Sequence, residues 1–263
     1  MGINWRVAAA YPFIIYKDSY YYLFLSYGGL VAEGGYQIRI FRSENITGPY
    51  VDEAGNSAVY TSQENNLFTN IGVRIMGSYD WSGNRETRVA QGHNSAYVSE
   101  DGEIYMVYHS RFAEGKNGIT EAHEVRVQQL FVNEAGWLVA APYEYTGEHI
   151  SKTGYDMEQI CGEYEFIIHT PTTYYQKAGK ATVGIMQPSH ITLNEDGSVT
   201  GELTGSWTYE EGSPNMTITL EDITYQGVFL KMPSEKLYFN QKQREVVMTF
   251  TVLGNNVTAW GSK

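Results

Sequence analysis

The run "YYYLFLSYGG", Tyr20 to Gly29, is short, aromatic and bounded by glycine, and runs of this kind recur along the whole chain. No long window carries apolar residues at the 3.6-residue spacing of a surface helix, so the chain must bury its apolar side chains through sheets. Helical bundles and α/β folds are excluded, because their amphipathic helices would be visible in the sequence. The expectation is an all-β protein. Predicted strands in the first half are Phe13 to Tyr16, Tyr20 to Tyr27, Tyr36 to Arg42, Ser95 to Ser99, Ile104 to Ser110, Glu124 to Asn133 and Trp137 to Ala140. "KDS", "SEDGE" and "NEAGW" lie between them as hairpin turns.

An internal repeat appears when "YLFLSYGG" is laid over "YMVYHSRF" and "YQIRIFRS" over "HEVRVQQL", which places Arg39 on Arg126. Each copy holds a short strand, an aromatic strand, a glycine-bearing excursion and an arginine-bearing strand, the content of one four-stranded propeller blade. Arg39 and Arg126 alternate with apolar neighbours. With Tyr27 they are candidate substrate-binding residues, and salt bridges between blades are the competing reading of the two arginines. After "APYEYTGE" the strands shorten and become threonine-rich, with "LNEDGS" and "EEGSPN" as turns, which predicts a separate small β-barrel or sandwich. The predicted domains are 1–142 and 143–263.

The 263 residues include 18 basic and 30 acidic side chains, a formal charge of −12. Binding to nucleic acid or to an anionic membrane would need basic clusters, so neither is expected as a partner. Tyrosine dominates the aromatics, 22 against 10 Phe and 5 Trp, which suits half-buried strands and sugar-binding surfaces alike. Cys161 is the single cysteine and leaves no intrachain disulfide. No signal peptide opens this sequence, and no apolar run reaches the ~18 residues of a membrane span. The N-x-[ST] triplets at Asn45, Asn215 and Asn256 are common enough by chance to imply nothing alone. His109, His123 and Glu124 lie on different predicted strands without a known ligand spacing, and structural contacts are expected of them. No nucleophile elbow, phosphate loop or dinucleotide fingerprint is present.

Four blocks in order resemble the two-domain arabinanases of glycoside hydrolase family 43. "YYYLFLSYGGLVAEGGYQIRIFR" is similar to that family's fourth-blade segment "YYYLFVSYGG…GGY…R". "GHNSAYVSEDGEIYMVYHSRF" and "HEVRVQQLFVNEAGWLVAAPYEYTGE" resemble the last blade and its exit, and "ITYQGVFLKM…VVMTFTVLGNNVTAWGSK" resembles the C-terminal barrel. The resemblance implies a five-bladed propeller of which about two blades are present, followed by the barrel. It implies hydrolysis of α-1,5-linked arabinan with inversion, for which two carboxylates act on opposite faces of the sugar. It also implies a secreted or periplasmic enzyme.

The family's general base and a second, tuning aspartate come from earlier blades and have no counterpart here. Its general-acid glutamate sits in a motif like "I-E-[GA]-P-Y-I". Counted back from Tyr20 that glutamate falls on Ala8, or on Ala10 if the proline sets the alignment, and a methyl group cannot donate a proton. The chain alone is therefore expected to be inactive. His93 in "GHNS" falls on the family's axial histidine, a ligand of a central cation, usually calcium; sodium or water could take its place. A hydrogen-bonded structural histidine is the competing reading. The implied partners are arabinan or its oligosaccharides, with an N-terminal propeller half or a second copy of the chain completing the ring. A carbohydrate-binding module that does not cleave is the alternative from another functional class.

Overall fold

Tyr20–Tyr27 (β2) is the middle of a four-strand antiparallel meander that runs through Ala10–Lys17 (β1), β2, Gln37–Ser43 (β3) and Val73–Met76 (β4). The computed structural model describes residues 10–30, 35–59, 70–84, 86–120, 122–170, 184–236 and 244–263. A second meander has the same order: Arg88–Val98 (β5), Ile104–Phe112 (β6), His123–Val132 (β7) and Leu138–Ala140 (β8). The repeat seen in the sequence thus corresponds to two sheets of equal make-up, with Arg39 and Arg126 both on the third strand.

Alternation places Ile15, Tyr22, Phe24, Ile38 and Ile40 of the first sheet and Ala96, Ile104, Met106, Tyr108 and Leu130 of the second in one shared core. The tip of the β7–β8 hairpin fastens the two. Tyr22 donates its hydroxyl to the Gly136 carbonyl at 2.7 Å, and the Arg42 guanidinium donates to the carbonyls of Ala135 and Gly136 while lying over the rings of Tyr20 and Trp137.

After one helical turn, Met157–Ile160 (α1), the chain becomes an eight-stranded antiparallel barrel. Its strands are Gly162–Ile168 (β9), Ser189–Leu193 (β10), Ser198–Gly201 (β11), Gly205–Tyr209 (β12), Asn215–Leu220 (β13), Ile223–Pro233 (β14), Val246–Gly254 (β15) and Val257–Ser262 (β16). Each pairs with the next, and β16 returns to β9 through Ala259↔Ile168 and Trp260↔Ile167, so no strand edge is left. Of the barrel and the sandwich left open by the sequence, the barrel forms.

Its interior is aromatic: Phe250 meets Tyr164, Phe166 and Phe229 with ring centres 5.1, 5.8 and 5.7 Å apart. Gly261 faces that ring, and a Cβ there would lie 2.1 Å from it. The other parity of β14 and β16 is buried too. Val228, Leu230, Met232 and Trp260 point outward from the barrel into the core shared by the two sheets. Strands buried on both faces lose polar alternation, which is why "VTAWGS" reads as unbroken in the sequence.

Polar contacts accompany this apolar seam, beginning with the parallel pairing of β16 with β4 at Val257↔Arg74. In the β15–β16 turn, Asn255 and Asn256 adopt positive φ. The Asn256 amide donates to the Asp52 carboxylate at 3.0 Å and to the Asn70 carbonyl at 2.8 Å. Asn256 is fully buried, which rules it out as a glycan acceptor. A further contact centres on Arg126.

Candidate functional site

His93 sits on β5 where the pairing with β6 slips, and it holds φ +50°. Its backbone N–H donates to the Ser26 hydroxyl at 2.9 Å, and Ser26 is the register partner of Ala10. Ala10, the alternative position expected for the acid, and His93 thus both meet Ser26 of β2. Ala10 opens β1; Ala8 lies outside the described residues. Gly92 makes this approach possible, since a Cβ there would lie 2.0 Å from the Tyr36 ring. Its carbonyl is 3.1 Å from His109 Nδ1.

The His93 side chain is exposed and opens into a cleft of about 440 Å³ shared with Leu30, Val107, His109, Arg111 and His123. The fold gathers His109 and His123, which the sequence keeps on separate strands, with ring centres 6.0 Å apart. Burial holds His109 below the usual imidazole pKa, and Arg111, His123 and His93 push it further down, against the Gly92 carbonyl.

Among the described residues the donor set does not fit calcium. That ion takes six to eight oxygen ligands, carboxylates above all, and none of the described residues lining the cleft is a carboxylate. Among the described residues no three His, Cys, Asp or Glu side chains gather as a metal site. One imidazole is what His93 offers a cation, so water would have to supply most of a shell.

Tyr27 and Arg39 are both buried, packed on each other with the guanidinium carbon 4.9 Å from the ring centre. Arg39 donates to Gln37 at 3.2 Å and to the Ile71 carbonyl, and burial lowers its pKa to about 10, partly offset by Asp52. Arg126 is also buried, but among carboxylates: Glu124 at 3.1 Å, Glu144 at 3.6 Å, and Glu235 of the barrel in direct contact. Of the two readings of this arginine, ion pairing describes its surroundings. Arg88 joins the same group, 2.6 Å from Glu124, and Glu86 bridges Arg88 and Lys116. Nothing in the sequence marks Glu235, Glu144 and Arg88 as neighbours, because their meeting depends on how barrel and sheet dock.

Residues 8–138 match the family described as Glycosyl hydrolases family 43, and residues 142–261 match its C-terminal lipocalin-like domain. The chain is 40% identical over 266 aligned residues to the extracellular endo-α-(1→5)-L-arabinanase 2 of Bacillus subtilis, covering 96% of this chain and 52% of the relative. It is 38% identical over 262 residues to the extracellular endo-α-(1→5)-L-arabinanase of Thermotoga petrophila, covering 95% and 51%. The crystal structure of endo-1,5-α-L-arabinanase from Thermotoga petrophila superposes with a TM-score of 0.81 at 36% identity over 98% of this chain and 56% of that one. The chain spans about half the length of the curated relatives it matches.

Proposed function

Because the chain belongs to glycosyl hydrolase family 43, we propose that it is the C-terminal portion of an arabinan-degrading enzyme that cleaves α-1,5-L-arabinofuranosyl linkages with inversion, and that it does not turn over alone. The observation that carries this reading is the match, over 95% or more of the chain, to relatives named endo-arabinanases. The two sheets serve as the last two blades of a five-bladed ring, and the His93 cleft faces its axis. The relatives' extracellular designation supports action outside the cell. His93 holds a cation or a water at the axis. Tyr27 and Arg39 shape the floor beside the substrate.

Inversion needs two carboxyl groups, an acid and a base, roughly 6.5–9.5 Å apart, and among the described residues lining the cleft there is no carboxyl group. An acid restored at Ala8 or Ala10 supplies one of the two groups; the base must come from another segment. Exposed apolar side chains favour a partner that supplies it. Ile14 and Tyr16 on β1, and Tyr97 and Val125 on the second sheet, are 41%, 55%, 58% and 71% exposed. They occupy strands that flank the cleft, and an N-terminal propeller half, or a second copy, would cover them.

The test measures reducing sugar released from linear arabinan by the chain and by its Ala8→Glu and Ala10→Glu forms, each with and without the N-terminal half of a relative. Turnover is expected only from a restored form with the N-terminal half. Turnover by the unaltered chain alone would overturn the missing-acid and missing-base readings together.

A further inference from the structure

His109 and His123 lie on the wet face of the second sheet. β6 alternates along its length, with Met106, Tyr108 and Ser110 buried and Val107, His109 and Arg111 partly exposed along the cleft. In the β6–β7 register Arg111 pairs with His123 and His109 with Val125, so the two imidazoles stand diagonally across neighbouring strands, within reach of each other. Their ring centres are 6.0 Å apart and the ring planes meet at 82°. We propose that His109 and His123 together hold a divalent transition ion of the zinc class, with water completing its shell.

His109 is prepared for this role by its other nitrogen. Gly92 is its register partner on β5, and the Gly92 carbonyl lies 3.1 Å from Nδ1. A carbonyl oxygen only accepts, so Nδ1 carries the proton and Nε2 keeps its lone pair. A ring N–H tied to a backbone carbonyl is the usual support behind a metal-bound histidine, since it fixes both the tautomer and the ring plane. His123 is exposed and can turn to meet its neighbour. With metal–nitrogen bonds of ~2.0–2.1 Å, two imidazoles on a tetrahedral ion have ring centres about 5 Å apart, so the pair closes by about 1 Å on binding. Imidazole nitrogen suits zinc, copper and nickel, whereas calcium seeks oxygen. Arg111 lines the same cleft, where its Nε donates to the Leu30 carbonyl at 2.6 Å. Its charge disfavours an ion held by electrostatics alone more than one held through nitrogen lone pairs. His93 also lines the cleft, but among the described residues no three such side chains gather as a metal site, so the donors form a pair and not a triad.

The site follows from strand register and the Gly92 contact and does not depend on the arabinan reading. The test titrates the untagged, metal-free chain with zinc against a chromogenic chelator and repeats the titration with calcium. It compares His109→Ala, His123→Ala and His93→Ala, whose melting curves without metal report on folding. His123, exposed on its strand, keeps the test decisive should His109→Ala lower the melting temperature. The expected result is saturable zinc binding that His109→Ala and His123→Ala each weaken about tenfold or more, that His93→Ala leaves nearly unchanged, and that calcium does not displace. Absence of zinc binding, or equal zinc affinity in the chain and in His123→Ala, would overturn the proposal. Displacement of zinc by equimolar calcium would overturn the choice of ion, and a loss in His93→Ala as large as in His123→Ala would move the ion to His93 and overturn the pairing.

Discussion

Arg39 and Arg126 stand at corresponding places on the third strands of two sheets with the same topology, both out of solvent, yet they are held in opposite ways. Among the described residues Arg39 meets a glutamine, a carbonyl and a tyrosine ring, with Asp52 supporting its charge, and burial brings its pKa down to about 10. Burial works against the charge of Arg126 too, but Tyr108, Tyr79, Glu235 and Glu144 outweigh it and leave its pKa above the usual arginine value. The repeated sheet fixes where an arginine sits. What docks against the sheet fixes its role: Arg39 closes its own sheet, and Arg126 couples its sheet to the barrel.

The largest way to break this contrast is Arg126→Met. It would leave Glu235, Glu124 and Glu144 without their shared cation, and a loss of about 3–5 kcal/mol in urea unfolding is expected. Arg39→Met removes a cation that donates to Gln37 and the Ile71 carbonyl and is supported by Asp52, and it should cost less, about 1–3 kcal/mol. Equal losses in the two variants would dissolve the distinction between a sheet-closing and a barrel-coupling arginine.

The seam can also be probed by pH. His169 follows β9, is fully buried against Trp260 and Tyr79, and neither ring nitrogen has a hydrogen-bond partner. Burial, and secondarily Arg74, hold its pKa well below the ordinary 6.5. The unfolded chain therefore binds a proton that the folded one refuses. Stability contributed by neutral His169 is fully present above about pH 6.5 and falls by up to ~1.4 kcal/mol per unit as pH drops below it. His169→Phe should flatten that slope between pH 6.5 and 5 in urea titrations at stepped pH. An unchanged slope would place the proton-sensitive group elsewhere.

The smallest expected effect is on the fastening between the two sheets. Arg42→Ala removes a guanidinium that bonds two carbonyls and covers two rings, and should lower stability by about 1 kcal/mol. A loss as large as that of Arg126→Met would make the sheet-to-sheet joint, rather than the sheet-to-barrel joint, the dominant one.

Strands with one wet face are legible in the sequence itself. β2, β6 and β7 fall within a few residues of their predicted bounds, because alternation and the turns "KDS", "SEDGE" and "NEAGW" mark them locally. Val73–Met76 is absent from the predicted strands: it has four residues, all buried, and so no polar alternation to announce it. The first half of β5 is absent too, since "RVAQGHN" is polar and is broken by positive φ at Ala90 and His93. At the site, "GHNS" singles out His93, and counting back from Tyr20 singles out Ala8 or Ala10. Sequence alone does not assign the neighbours His109 and His123 to the cleft, because strand register decides which side chains of β5, β6 and β7 share a face.

The sequence by itself determined that this chain folds as sheets, that its first half repeats, and that three alanines, Ala8 to Ala10, lead into its first aromatic strand. Each is written in adjacent residues, as periodicity, similarity and side-chain chemistry. Only the tertiary structure decided that the second half closes as a barrel rather than opening as a sandwich, since closure rests on β16 pairing with β9 about ninety residues away. It likewise decided that Arg126 faces Glu235 across 109 residues of chain. Such contacts have no local signature, because the energy that selects them is the burial of whole faces against one another, and that is a property of the docked elements and not of any one of them.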